Sequence, residues 1–226
     1  HECERLRCNT CGKIYSAELP KEIPKERTDE KANALVCLFR YMGGFPHYRL
    51  AKFQTALGAR LPESSQWGMV EKVAKPAYRV WSRLIKSAAG LDLYHNDDTG
   101  MRIQGLSLEL KNSKDSKVRK GIYTTGIVAK SNGKDIALFF TGNRHAGENL
   151  ARVLKHRKQD LATPLQMCDA LSRNPAKGFE TILCFCMDHG RRSFVDVAGD
   201  FPEETKHVIS KIAEVYKYDK TSKKFH

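Results

Sequence analysis

LDLYHNDDTG, residues 91–100, is the stretch on which the reading of this chain turns. It opens as a short alternation of apolar and polar residues, the period of a half-buried strand. It closes on two adjacent carboxylates, Asp97 and Asp98, and a threonine. Adjacent aspartates at a strand end commonly act as turn or cap residues, because their side chains bond nearby backbone amides. In a chain as basic as this one the pair is also a candidate metal-binding feature. A second acid, brought close from elsewhere in the sequence, would separate the two readings.

The formal charge is +13, with 39 Lys+Arg against 26 Asp+Glu. Before Leu91 there are 16 cations and 9 anions, and from Leu91 onward 23 and 17, so the halves carry +7 and +6. An excess spread this evenly suits a polyanion lying across several surfaces, with nucleic acid the leading candidate and a basic protein lacking such a partner the alternative. The 226 residues, 41% hydrophobic, are enough for one large domain or a medium one with appendages. The chain starts at His1 without an initiator methionine and ends in the lysine-rich KYDKTSKKFH, so it reads as a piece of something longer. No apolar run approaches the roughly 18 to 20 residues needed to span a bilayer, and HECERLR lacks the apolar region of a signal peptide. The expected setting is therefore intracellular, with no membrane partner. The seven cysteines are odd in number, and Cys37, Cys168, Cys184 and Cys186 sit in apolar runs, which fits reduced thiols better than a disulfide framework.

Three regions follow in order. Residues 1–20 hold Cys8 and Cys11 around a tight turn before Gly12, which looks like half of a zinc ribbon. Tetrahedral zinc needs four ligands and this pair supplies two. Cys3 and His1 complete a site on paper, but Cys3 to Cys8 is an awkward spacing, and a second pair upstream of His1 is the better expectation. Residues 21–90 are helical in period. Thr28 or Asp29 caps a first helix, Gly43 and Gly44 end it, Pro46 opens a second that Gly58 closes, and a third begins near residues 62–65. Helices over 46–57 and 64–73 around the GARLPE turn look like a helix-turn-helix, or like an ordinary packed pair. In a true reader, Ser64, Ser65 and Gln66 at the start of the second helix face base edges.

From Leu91 to residue 226 the period becomes strand-like. Strands are expected over 91–95, 103–110, 122–129, 135–140, 165–168 and 181–187, with helices over 147–156, after Asp188 and after Glu203. That order suits a mixed sheet with helices packed on it, an α/β architecture. The loop KNSKDSKVRK, residues 111–120, carries five cations and one anion, and Lys117, Arg119 and Lys120 are its candidate phosphate contacts.

A ribonuclease H-like fold places one aspartate on its first, central strand and a second at the end of its fourth, adjacent in the sheet. Two carboxylates brought together this way, completed by a third, hold divalent ions about 3.5 to 4 Å apart. Asp97 ends the first expected strand and Asp169 ends LQMCD, 72 positions on, after three expected strands and a helix. Asp169 before Ala170 also suits a turn cap.

These residues carry a resemblance. LRCNTCGKIYSAELP, YMGGFPHYRLAKFQTALGARLPESSQW, HNDDTGMRI, IYTTGIVA, IALFFTGNRHAGENL, LQMCDALSRN and CFCMDHGRRSFVDVAGDFPEE, in this order, resemble bacterial insertion-sequence transposases of the IS66 family. The resemblance implies a Cys-pair zinc segment, a helical DNA-binding region and a ribonuclease H-like catalytic domain. It further implies an Asp, Asp, Glu triad with Mg²⁺ or Mn²⁺, and strand transfer from transposon ends into target DNA. Asp97 falls on the family's first catalytic carboxylate and Asp169 on its second. Asp98 stands where the family commonly has Glu, as a supporting residue, and Gly100 replaces a proline. MDHGRRSF resembles the family's Ala-His-Ala-Arg-Arg-Lys-Phe stretch, which sets His189, Arg191 and Arg192 at the sheet rim as DNA contacts. A basic helix start on an exposed edge is the plainer reading, and Asp188 is a possible extra ligand. NRHAGENL is also family-like: Asn143 and Gly147 shape a helix start with Glu148 in its first turn, and His145 is structural or DNA-facing. The family's catalytic Glu lies further downstream than Glu203, Glu204 and Glu214, which match an amphipathic linker. The expectation is thus a fragment without its Glu, inactive alone, bacterial and nucleoid-associated, acting as a homo-oligomer on DNA. The alternative is a DNA-binding remnant or repressor of the element.

Overall fold

The computed structural model describes residues 4–18, 20, 28–112, 119–131 and 133–222. His1, Cys3 and Lys117 therefore lie outside the described residues. The chain divides into two compact units, His1–Arg79 and Val80–His226.

In the first unit β1 (Arg5–Arg7) pairs antiparallel with β2 (Ile14–Ser16). Their turn carries Cys8 and Cys11, closed by Cys8 N donating to Lys13 O and Gly12 N to Cys8 O, with Gly12 at φ 71°. That left-handed conformation is the reason for glycine directly after the second cysteine. Helix α1 (Glu30–Cys37) is capped by Asp29, whose carboxylate accepts from Ala32 N at 2.7 Å, and a π-helical turn, Leu38–Met42, continues it. Helix α2 (His47–Ala56) starts after Pro46. Val36, Leu50, Met69 and Val70 form the core of this unit, with Phe39, Phe45 and Leu61 packed against it.

The helix expected over 64–73 is far longer, running from Glu63 to Ala88 straight through Pro76 as α3. Its last turns place Ile85, Ala88 and Ala89 in the core of the second unit. Burial there outweighs the roughly 3 kcal/mol by which an internal proline disfavours a helix.

The second unit is built on a five-stranded mixed sheet in the order β5-β4-β3-β6-β7: β3 (Leu93–Gly100), β4 (Tyr123–Ser131), β5 (Lys134–Gly142), β6 (Leu165–Cys168) and β7 (Ile182–Phe185). The first three pair antiparallel, and β3–β6 and β6–β7 pair parallel. This arrangement is compatible with a ribonuclease H-like fold. Residues 103–110, expected to be a strand, belong instead to helix α4 (Gln104–Asn112). The alternation in LSLEL misleads because β3 already has β4 on one side and β6 on the other, so the segment has no edge of β3 to join. Its Leu, Gln, Glu and Lys residues are good helix formers. Helices α5 (Ala146–Leu154), α6 (Met187–Asp196) and α7 (Pro202–Ser222) complete the unit.

Period-two alternation gives the sheet two unlike faces. Tyr94 and Asn96 of β3, Ile127 and Ala129 of β4 and Leu138 and Phe140 of β5 are buried on one. Leu150, Val153 and Leu154 of α5 pack with the hydrophobic members of this set, each fully buried side chain contributing about 1.5–3 kcal/mol. The opposite face, bearing His95 and Asp97, is more open.

Candidate active site

The register of the parallel pair builds the site. Leu93 lies level with Leu165 and His95 with Met167. Two residues on, Asp97 comes level with Asp169, directly beyond the end of β6. Asp97 lies within β3 and not at its end, and two strands and two helices separate the acids, where three strands and a helix were expected. With 103–110 helical, β6 is the fourth strand of the sheet in chain order. The pair sits just past the carboxyl end of the β3–β6 parallel pairing, the kind of position where open α/β sheets form their crevices. Gly126 stands opposite Asp97 on β4, so no side chain from that position crowds the carboxylate.

Asp97, Asp169 and His189 each offer a ligand atom within 4.8 Å of the others. His189 Nε2 is 3.9 Å from Asp97 Oδ2. Asp97 Oδ1 accepts from the backbone amide of Asp98 at 2.8 Å, and its side chain is 57% exposed. Asp169 does serve its turn as well, since its Oδ1 accepts from Leu171 N at 3.1 Å and from Asn174 Nδ2. Both bonds fall on one oxygen, which leaves the other for a ligand.

Behind Asp169 lies a buried amide network. Asn96 Nδ2 and Gln166 Nε2 both donate to the Asn174 carbonyl, at 3.0 and 2.8 Å, and Gln166 Nε2 also donates to Asn96 Oδ1 at 2.9 Å. Gln166 Oε1 accepts from Ala176 N and Thr181 Oγ1. Paired buried polar groups of this kind fix one geometry, because each loses about 1–3 kcal/mol if left unsatisfied. Here the geometry fixed is that of the strand pair and of Asn174, and through Asn174 that of Asp169.

Asp98 points to the opposite face and is 4% exposed. Its carboxylate accepts from Thr125 Oγ1 at 2.6 Å, Ala146 N at 2.9 Å and His145 Nδ1 at 3.2 Å. Asn149 Nδ2 donates in turn to Thr125 Oγ1 at 2.8 Å. Ala146 opens α5, so the anion meets the positive end of that helix. Asp98 is thereby a tie between β3 and α5.

Asp97 and Asp169 line an open cavity of about 330 Å³ with His95, Met167, Cys168, Cys186 and His189. The Cys168 thiol is pushed up to about 11 by burial first, then by the charges of Asp169, Asp97 and Cys186. It stays protonated at neutral pH beside the two carboxylates. A pair of carboxylates whose recorded hydrogen bonds among the described residues fall on Oδ1 alone, lining an open cavity, fits a divalent cation.

The description "Transposase IS66 family" matches residues 25–226, nearly the whole chain. The chain belongs to the IS66 transposase family. No curated protein matches it. Membership implies transposase chemistry in general, with DNA as the partner. No helix among the described residues is long and apolar enough to cross a membrane.

The other expected site residues of this transposase lie as follows. Arg192 lines a groove of about 460 Å³ along α6, with Asp169, His189 and Ser193, and Arg191 is exposed beside it. Asp188 accepts from Tyr216 Oη at 2.7 Å and stands outside the metal-spaced cluster. Arg119 pairs with Glu148, whose carboxyl is held below its ordinary value chiefly by that hydrogen bond. Lys120 lines a further cavity of about 620 Å³ with Arg102 and Gly100. Ser64 and Ser65 are exposed. Gln66 is fully buried, donating to Leu61 O at 3.1 Å and meeting His47 Nδ1 at 3.2 Å, so it does not face a base edge. The Cys8 thiol is lowered by hydrogen bonds from the backbone amides of Cys11 and then Thr10, as suits a thiolate in a knuckle. Among the described residues no third ligand joins Cys8 and Cys11.

NRHAGENL now has a physical account. His145 and Ala146 bond Asp98, Glu148 Oε2 accepts from His145 N, and Asn149 bonds Thr125. At Gly147 a Cβ would fall 2.7 Å from Arg173 O and closer still to Pro175 O. The helix thus starts against the loop that orders Asp169. The helix cap is His145, one residue after the arginine, in place of a start shaped by Asn143. Asn96, Gln166 and Asn174 were missed. No local pattern signals them, since Asn96 meets Gln166 and Asn174 only across the folded sheet.

Proposed function

We propose that this chain supplies the two-aspartate part of a DNA transposase centre that cleaves transposon ends and transfers the 3′ strand to target DNA. The level placement of Asp97 and Asp169 on adjacent parallel strands carries the reading. Bound Mg²⁺ or Mn²⁺ would activate a water or a 3′-hydroxyl and stabilise the leaving oxygen. Asp97 and Asp169 hold that charge, and Asn174 keeps Asp169 aimed. Arg192 on α6 lines the groove that Asp169 also lines and is suited to bidentate phosphate contact, with the exposed Arg191 one residue before it, so a DNA backbone lying along the α6 groove meets Asp169 at one end. Lys120 adds a cation on the chain, Lys117 and Arg119 are further candidate phosphate contacts of the same sequence segment, and Ser64 and Ser65 at the start of α3 are available to DNA. Cys8 and Cys11 provide two thiol ligands of a zinc knuckle. Among the described residues no glutamate joins the aspartate pair, and the third carboxylate of the Asp, Asp, Glu pattern is to be sought outside them.

The test is cleavage and strand transfer on labelled end-bearing DNA by a transposase containing this chain. Asp97→Asn and Asp169→Asn should each lower the rate on the order of 1,000-fold, the loss of several kcal/mol of charge stabilisation. Strand transfer retained in either variant would sink the assignment. DNA binding retained in both, with a salt-dependent affinity, is the expected companion result.

A further inference from the structure

We infer that His189 is a direct ligand of the divalent ion held by Asp97 and Asp169, making the centre a mixed carboxylate–imidazole site that prefers Mn²⁺ to Mg²⁺. This rests on the two-aspartate reading above.

The spacing comes first. Nε2 of His189 lies 3.9 Å from Asp97 Oδ2, too long for a hydrogen bond. It is the spacing of two atoms sharing an ion: at metal–ligand distances of about 2.1 Å, neighbouring ligands lie about 3 Å apart and opposed ones about 4.2 Å. The three ligand atoms already fall within 4.8 Å of each other.

The ring has no other employment. Among the described residues its Nδ1 is buried without a hydrogen-bond partner, and its ion-pair partner is Asp97. A structural histidine at this position would anchor a ring nitrogen to a carbonyl or hydroxyl. Among the described residues neither nitrogen is tied to either, so presenting one to an ion breaks no such bond.

The backbone beneath the ring is fixed to the same strand as Asp169. Cys186 N donates to Cys168 O at 2.8 Å, and Gly190 N to Cys186 O at 3.2 Å. Asp188, next to His189, is held by Tyr216 of α7. The first turn of α6 is therefore set by β6 immediately before Asp169 and by α7, which gives His189 the positional accuracy a ligand needs.

Ligand chemistry sets the preference. Mg²⁺ favours an all-oxygen shell, whereas imidazole suits later first-row ions, and Mn²⁺ accepts both. Arg191 and Arg192, two and three residues on, remain for phosphate.

The experiment uses the purified chain with Mn²⁺ as the probe, read by electron spin-echo envelope modulation and by Mn²⁺/Mg²⁺ competition. In wild type the bound Mn²⁺ should show coupling to a ¹⁴N nucleus, replaced by a ¹⁵N signature when histidine is ¹⁵N-labelled, a readout that needs no variant. In His189→Gln the coupling should vanish and the Mn²⁺ affinity fall on the order of 10-fold or more, since even outer-shell partners of metal ligands are worth 10–100-fold. Mg²⁺ affinity should change less, so the ratio falls. Tight Mn²⁺ binding without nitrogen coupling, abolished by Asp97→Asn and Asp169→Asn, would overturn the His189 assignment and leave the aspartate pair standing. Mn²⁺ binding indifferent to both aspartates would overturn both.

Discussion

Asp97 and Asp98 are neighbours in sequence with opposite tasks, and exchanging each for asparagine separates them. Asp98 is 4% exposed and accepts three hydrogen bonds, one of them from the first amide of α5. Asparagine keeps the shape but has one acceptor oxygen and turns an NH₂ toward donors. Losing one charge-assisted bond costs about 1.5–3 kcal/mol, and removing an anion from a helix N-terminus about 1 kcal/mol more. Asp98→Asn should therefore destabilise the second unit by about 3 kcal/mol, or roughly 6–12 °C in Tm for a unit of this size. Asp97 is 57% exposed and accepts only from the next amide, so Asp97→Asn should stay within about 0.5 kcal/mol of wild type. Urea unfolding followed by circular dichroism reads this as a shifted midpoint at constant slope. Isothermal titration with Mn²⁺ should give the reverse order: binding lost in Asp97→Asn and kept in folded Asp98→Asn. Equal stability of the two variants, or Asp97→Asn being the less stable, would refute the assignment of faces.

Gly147→Ala should destabilise by about 3 kcal/mol, because its Cβ meets two carbonyl oxygens of the loop after Asp169. Gly190→Ala, with nothing within 4 Å and set in α6, should stabilise by about 0.5–1 kcal/mol in the same thermal melts. Asn174→Ala should lower Mn²⁺ affinity while leaving its nitrogen coupling in place, since Asn174 touches Asp169 and not the ion; an unchanged affinity would remove Asn174 from the site. Burial raises the Tyr94 hydroxyl above its ordinary value, outweighing the nearby Arg157. A raised phenol keeps its stabilising contribution below the unfolded value of about 10 and loses it as pH climbs through the folded one. The wild-type melting temperature should thus drop above about pH 10, and Tyr94→Phe should flatten that limb. It should also cost about 1 kcal/mol at neutral pH for the bonds to Ala88 O and Ala89 O.

What the sequence made legible was local. Strand 165–168 falls where the period places it, whereas Asp97, expected to end the first strand, lies inside β3, and only Asp169 follows a strand end. The error at 103–110 arose because alternation reports two faces but not whether a sheet edge is available. Gln66 was misplaced because a helix start says nothing about which side packs, and His47 buries it. The amide network was invisible for a different reason: Asn96 meets Gln166 and Asn174 across 70 and 78 residues. No local pattern reports such partners. His189 was found through its motif, but its closeness to Asp97 follows only from the bond between Cys186 and Cys168, two strand ends that must first be brought side by side.

The parallel pairing of β3 with β6 has a consequence for how the protein is made. A ribosome releases Asp97 long before Asp169, and the antiparallel β3–β4–β5 meander can close on its own neighbours while the rest is still being synthesised. Parallel pairing needs a long crossover, and contacts of such sequence separation form late. A nascent chain therefore carries Asp97 as a lone surface acid, and the carboxylate pair comes into being only when β6 docks beside β3. The carboxylate pair is thereby withheld from every half-made copy by the order in which the sheet can be assembled.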